Sequence, residues 1–299
     1  MTRTLITGVA GFTGRYLAEA LVRRGHEVHG IVHHEADEVA PGIATTYRGD
    51  LADFAAMAAI VDQVKPTHVV HLAAISFVAH DDVSDLYRSN VVGTRQLLHA
   101  LARLPERPKS VIVCSSANVY GNSQEGVLDE SVPLAPANDY GVSKVAVEYL
   151  AQLYLDRVPV IVVRPFNYTG RGQSTNFVIP KIVEHARNRE EIIELGNLDV
   201  FRDFSDVRTV VDAYVRLLEE PKAIGQTFNI SSGRETSLRN VIDVVETLTD
   251  HKLEVRVNPA FVRAKEVHSL CGSAAKLESV IGPIERRSLE ETLRWMLED

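Results

Sequence analysis

The chain has 299 residues and a mass of 33.0 kDa, and is 45% hydrophobic and 24% charged, an ordinary globular balance with room for one large domain or two small ones. A net charge of −8 and a pI near 5.8 argue against nucleic acid or an anionic membrane surface as the main partner. Cys114 and Cys271 stand in no metal-like spacing, and no signal peptide or long apolar span is evident, so a cytoplasmic protein without metal or membrane attachment is expected.

Arg3-Thr-Leu-Ile-Thr7 reads as a short strand that runs into Gly8-Val-Ala-Gly11-Phe12-Thr13-Gly14. Leu17, Leu21 and Val22 then fall at helical spacing. Strand, glycine turn and helix together point to dinucleotide binding. Gly8 permits the tight turn, Gly11 lets backbone approach a pyrophosphate, and Gly14 allows close helix packing. Backbone amides at the helix start would receive the phosphates.

Apolar runs at Glu27–Val32, around Tyr47, at His68–Leu72, Ser110–Cys114 and Val160–Val163 alternate with helical patterns at Phe54–Val64, Leu86–Leu104 and Tyr140–Tyr154. This alternation predicts an α/β fold, a doubly wound parallel sheet of Rossmann type. After Arg164 the pattern loosens, with irregular segments expected over Pro165–Pro180, Gly196–Phe204 and Asn258–Gly272 and helices over Thr209–Leu218 and Ser237–Leu248. The expected organisation is therefore a dinucleotide-binding domain over 1–164, and over 165–299 a mainly substrate-binding lobe with segments returning to the sheet.

Tyr140 and Lys144, in Asp139-Tyr-Gly-Val-Ser-Lys144, share a helix face. An ammonium beside a phenol favours phenolate, so Lys144 is expected to lower the proton affinity of Tyr140 and poise it for acid/base work. Alone, such a pair is an ordinary solvated helix face; beside the glycine turn it carries more weight.

Together these residues resemble the extended short-chain dehydrogenase/reductases, in particular the nucleotide-sugar epimerase/dehydratase/reductase group, over nearly the whole chain. The resemblance implies several roles. Gly8, Gly11, Phe12, Thr13 and Gly14 would hold the cofactor, and Asp50 with Leu51 would meet its adenine end. Leu72, Ala73 and Ala74 would pass along the cofactor, and Asn90, in Ser89-Asn-Val-Val-Gly-Thr94, would support it. In Ser115-Ser-Ala-Asn-Val-Tyr-Gly121 the hydroxyl four residues before Tyr120 is Ser116, which would polarise the reacting oxygen. Ser76, Asn118, Asn167, Phe177, Val178 and Lys181 would line the substrate, and Arg202, Arg263 and Glu266 would hold its diphosphate and ribose. The helices Leu86–Leu104 and Tyr140–Tyr154 would form a homodimer interface.

In the sugar dehydratases of this group a carboxylate follows the catalytic hydroxyl, whereas Ala117-Asn118 offers a methyl and an amide. Water elimination is thereby disfavoured, and 4-keto reductases and 4-epimerases remain. Arg164-Pro-Phe-Asn-Tyr-Thr-Gly-Arg-Gly-Gln173 and Gly196–Phe204 most resemble the reductases that act on GDP-4-keto-6-deoxy-D-mannose and form GDP-D-rhamnose, although Tyr168, Thr169 and Arg171 depart from their pattern. The end of the second strand lacks the carboxylate that selects NAD, and His33 could donate to a 2′-phosphate. NADP(H) is therefore favoured, with NAD(H) as the alternative and a GDP-sugar as the favoured partner. An NAD-dependent 4-epimerase is the enzymatic alternative. A non-catalytic nucleotide-binding regulator would be expected to have lost part of Ser116, Tyr140 and Lys144, and all three are present.

Overall fold

The computed structural model describes residues 2–33, 38–76, 82–122, 126–261 and 267–298. Seven parallel strands lie in the order Thr227–Ile230, Val160–Pro165, Ser110–Cys114, His68–His71, Arg3–Thr7, Glu27–Val32 and Thr45–Arg48. Chain order reverses between Arg3–Thr7 and His68–His71, and sheets of this type bind ligands at the carboxyl ends of the strands on either side of that point. This is the doubly wound Rossmann-like sheet expected from the sequence.

Side chains alternate along each strand, so the apolar runs feed two cores. Ile6, Val70 and Ile112 join Leu17, Leu21, Val210 and Tyr214 of the helices Phe12–Arg23 and Val207–Leu218. Leu5, Val69 and Val111 join Met57, Leu97 and Val147 on the other face, from the helices Phe54–Val64, Gly93–Leu101 and Asp139–Leu153. A third core gathers Ile182, Val241, Val245 and Leu293 from helices Val178–Arg187, Leu238–Thr249 and Leu289–Leu297.

Two expectations need correction. The pattern at Leu86–Leu104 is not one regular helix: Val83–Tyr87 passes through a wide π-type turn, Arg88–Val92, before Gly93–Leu101. Extra residues in such a turn re-aim a side chain, here the buried Asn90. Gly93 follows because a Cβ there would lie 2.9 Å from Leu51 Cβ. The segments expected to be irregular also contain strands. Phe201–Asp206 pairs with Asn167–Thr169, Glu235–Ser237 and Ser269–Gly272. Its pattern is unreadable because Asp203 is fully buried, its carboxylate accepting from the amides of Ser232 and Gly233 at 2.7 and 2.8 Å.

Candidate active site

At the carboxyl end of Arg3–Thr7, Gly8 has φ +69°, a conformation that side chains rarely adopt. A Cβ on Gly14 would stand 2.2 Å from the Gly8 carbonyl and 2.7 Å from that of Val9. The helix Phe12–Arg23 starts at Gly11 with no side-chain cap, leaving its first amides without a side-chain partner. Such a bare, close-fitting cradle fits a dinucleotide pyrophosphate. Ala73 lines it, its backbone 3.0 Å from where a Gly8 Cβ would be. Leu72 and Ala74 flank Ala73 half-buried, and Ser76 is exposed at the end of the described segment.

Two strands away, Ser110–Cys114 delivers Ser116, whose Oγ accepts from Asn118 through the backbone amide at 3.2 Å and Nδ2 at 3.1 Å. Asn138 opens the helix Asp139–Leu153 by accepting from the Gly141 amide at 2.8 Å, which sets the register of Tyr140 and Lys144. Ser116, Tyr140 and Lys144 are all buried, and the Tyr140 phenol meets the Ser116 hydroxyl. Lys144 Nζ donates to the Cys114 carbonyl at 2.9 Å and lies 5.8 Å from the Tyr140 ring centroid.

The expected depression of the Tyr140 pKa by Lys144 is not what the chain produces. Burial dominates and pushes the phenol well above its usual range; Cys114 and Tyr168 add to this, and Ser116 opposes it. Lys144 is itself buried, which lowers its own proton affinity, and its ammonium is turned to the Cys114 carbonyl. Burial thus outweighs the neighbouring ammonium and favours a protonated phenol.

Asn90 Oδ1 accepts from the Ile75 amide at 2.8 Å, while Nδ2 donates to the Ile75 carbonyl and Ser143 Oγ, both at 3.1 Å. It therefore joins the segment after His68–His71 to the helix bearing Tyr140. Beneath, His71 is hydrogen-bonded to Thr7 Oγ1 at 2.7 Å and Thr94 Oγ1 at 2.8 Å. Asp50 accepts from the Ala52 amide at 2.9 Å and pairs with Arg88 at 2.5 Å, and Leu51 packs beside Gly93. His33 is exposed nearby, close enough to help hold the Asp50 carboxyl below its usual range.

Asn167 is exposed at the start of Asn167–Thr169. Phe177 and Val178 open the helix Val178–Arg187; Lys181 on it donates to the Glu194 carbonyl at 2.7 Å and lies 4.7 Å above the Phe261 ring. Arg202 donates to the Phe201 and His268 carbonyls at 2.8 and 3.2 Å. Arg263 and Glu266 lie outside the described residues.

Two of the residues that depart from the reductase pattern, Tyr168 and Arg171, acquire clear surroundings. Tyr168 stacks on Phe12 with centroids 6.1 Å apart and is hydrogen-bonded to Thr13 at 2.8 Å, tying the strand after Arg164 to the glycine turn. Arg171 is a clamp: Nε donates to the Trp295 carbonyl at 2.5 Å, and the guanidinium lies 5.2 Å above the indole. Contacts across more than 120 residues leave no local signal in sequence. Among the described residues no helix is long and apolar enough to cross a membrane, and no group of three or more His, Cys, Asp or Glu could hold a metal.

The family model described as GDP-mannose 4,6 dehydratase matches residues 5–296. A GDP-6-deoxy-D-talose 4-dehydrogenase from Aggregatibacter actinomycetemcomitans is 33% identical, over 94% of this chain and 91% of the relative. A GDP-6-deoxy-D-mannose reductase from Pseudomonas aeruginosa is 31% identical, over 99% and 96%. Among solved structures, a protein from Burkholderia cenocepacia J2315 provisionally called an epimerase is 48% identical with a TM-score of 0.92, over 99% of this chain and 97% of that one. The structure of RMD from Pseudomonas aeruginosa complexed with NADPH has a TM-score of 0.84 at 30% identity, over 99% and 96%.

Proposed function

The chain belongs to the GDP-mannose 4,6-dehydratase family, and on that premise we propose that it is a nicotinamide-dependent reductase of a nucleotide-linked 4-keto-6-deoxyhexose, converting GDP-4-keto-6-deoxy-D-mannose to GDP-D-rhamnose. The observation that carries this reading is the amide of Asn118 bonded to Ser116, at the place where a dehydratase needs a carboxylate, beside an intact Tyr140 and Lys144. An amide neither removes nor returns protons, so the site supports chemistry at one carbon without loss of water.

A nicotinamide cofactor held by the glycine turn and Lys144 would supply hydride to the keto carbon. Tyr140 gives its proton to the oxygen as negative charge develops there. A phenol is protonated at neutral pH, the state from which it can give that proton. Ser116 Oγ accepts two N–H groups from Asn118, which leaves its hydrogen for the Tyr140 phenol and, once substrate is bound, for the same oxygen. Gly8, Gly11, Gly14 and the first amides of Phe12–Arg23 are assigned to the pyrophosphate, and Lys144 to the cofactor ribose.

We assign NADP(H) as the preferred cofactor, supported by His33 at the end of Glu27–Val32 and by the NADPH complex of the Pseudomonas aeruginosa neighbour. GDP is the favoured nucleotide, supported by the names of both curated relatives. Residues 165–299 are assigned mainly to the substrate, although Val207–Leu218 and Thr227–Ile230 complete the dinucleotide-binding layer. Val142, Tyr149 and Leu153 form an exposed stripe on Asp139–Leu153, which supports a homodimer.

Loss of NADPH or NADH absorbance with GDP-4-keto-6-deoxy-D-mannose tests the reading, with product stereochemistry taken from NMR. Tyr140→Phe should lower kcat by roughly 10²–10⁴-fold and leave NADPH binding intact; substantial residual turnover would sink the assignment. The provisional name of the Burkholderia cenocepacia neighbour, an epimerase, keeps a second reading in view, that of a 4-epimerase. An epimerase retains its oxidised cofactor and needs no added reductant, so tightly held NAD in purified protein, with turnover of a nucleotide-hexose, would establish it instead.

A further inference from the structure

The strand Ser110–Cys114 runs on into Ser115 and Ser116, and the helix Asp139–Leu153 grips that run at two consecutive residues. Lys144 Nζ donates to the Cys114 carbonyl at 2.9 Å, and Ser115 Oγ donates to Glu148 Oε1 at 2.6 Å. Lys144 and Glu148 are four apart and share a face. From the neighbouring strand Arg164 closes a fork on Glu148, Nε to Oε1 at 2.8 Å and Nη2 to Oε2 at 2.7 Å. Its Nη1 donates to the Tyr120 hydroxyl at 2.8 Å, which in turn donates to Asn229 Oδ1 at 2.7 Å. Glu148 and Arg164 are only 4% and 6% exposed.

Burying such a pair costs several kcal/mol per ion before the attraction is counted, and an apolar pair of the same volume often packs at least as well. What the ions add is direction. A bidentate fork fixes the carboxylate plane, the carboxylate fixes the Ser115 hydroxyl, and Ser116 is the next residue. Asn118 and Tyr120, on the other side of Ser116, are held by Ser116 itself and by Arg164.

We propose that Glu148 is a positioning residue for the reaction, fixing Ser116 through Ser115 and holding the Lys144 ammonium by its charge, with Arg164 as its counter-charge. The proposal rests on the reading of Ser116, Tyr140 and Lys144 as the catalytic set. The titratable groups around Lys144 are Tyr140 and Glu148 on its own helix, Cys114 at the strand end and His71 on the next strand. Burial lowers the proton affinity of Lys144, while Cys114 and Glu148 raise it. Removing the Glu148 charge should therefore make Lys144 release its proton at lower pH.

The test titrates NADPH into wild type, Ser115→Ala and Glu148→Gln by fluorescence across the alkaline range, with kcat for GDP-4-keto-6-deoxy-D-mannose and Tm measured alongside. Glu148→Gln should move the alkaline limb of NADPH affinity toward acid. Ser115→Ala should lower kcat about tenfold, with that limb, the NADPH affinity and KM nearly unchanged. A merely structural pair would lower Tm in both variants and leave kcat and the limb at wild-type values, which would overturn the proposal. If Glu148→Gln does not fold, Ser115→Ala decides: an unchanged kcat refutes it. If wild type does not reduce this sugar, the reductase reading fails, and the binding limb of Glu148→Gln still decides the role of Glu148.

Discussion

His71 should make the protein acid-labile from directly beneath the glycine turn. Thr94 Oγ1 donates to the Asn90 carbonyl and the Ala73 amide donates to Thr7 Oγ1, so the network assigns His71 a proton on Nε2 and an acceptor at Nδ1. A second proton would set two donors against each other at Thr7. Burial, with a smaller contribution from the Lys144 charge, holds the His71 pKa down at about 3, against an ordinary 6.5. The unfolded chain therefore takes up a proton as pH falls through 6.5 and the folded chain does not until near 3, so stability is full above 6.5 and is lost between those values. At about 1.4 kcal/mol per pH unit, the loss is roughly 2 kcal/mol at pH 5. Urea unfolding of wild type and His71→Asn at pH 7.5 and pH 5.0 measures it. Wild type should lose about 2 kcal/mol more than the variant between the two conditions. Equal losses would refute the assignment. His68, whose pKa burial lowers to about 4, adds to the acid loss in both proteins and cancels in the comparison.

Other outcomes follow from contacts already described. Gly14→Ala must push a methyl into the Gly8 carbonyl, and NADPH affinity by fluorescence titration should fall at least about tenfold while the far-UV spectrum is kept. Asn118→Ala removes one of the two donors that orient Ser116; steady-state assays should show kcat lowered about tenfold with KM little changed. Arg171→Ala loses the Trp295 carbonyl and indole contacts at the carboxyl-terminal helix, and thermal unfolding should show a loss of about 1–3 kcal/mol without a change in NADPH affinity.

Six strands of the sheet, from Arg3–Thr7 to Val160–Pro165, were legible, most of them as the apolar runs that parallel strands buried on both faces need, whereas the edge strand Thr227–Ile230 was covered only by the expectation that later segments return to the sheet. The helix Phe54–Val64 was likewise readable, bounded by Asp53 as its cap and a left-handed Lys65 at its end. The second half resisted reading because its strands carry buried polar residues whose partners lie far along the chain. Asp203 looks like a surface charge until the amides of Ser232 and Gly233 arrive. The candidate set of Ser116, Tyr140 and Lys144 stands out by spacing and company, yet spacing carries no information about burial. For that reason the sense of the Tyr140 shift was misjudged. Glu148 was invisible for a related reason, since a glutamate on a helix ordinarily faces water.

The chain of contacts from Glu148 through Arg164 and Tyr120 to Asn229 also shapes how this protein can change. Replacing any one member strands a buried charge or donor, so drift there has to be concerted, and single steps are penalised. Asn118 is different: it sits inside that frame, only half-buried, and touches it through Ser116 alone among the described hydrogen bonds of its side chain. A rigid surround with one loosely tied position lets a lineage exchange an amide for a carboxylate, and so one reaction for another, without rebuilding the scaffold that aims the hydroxyl.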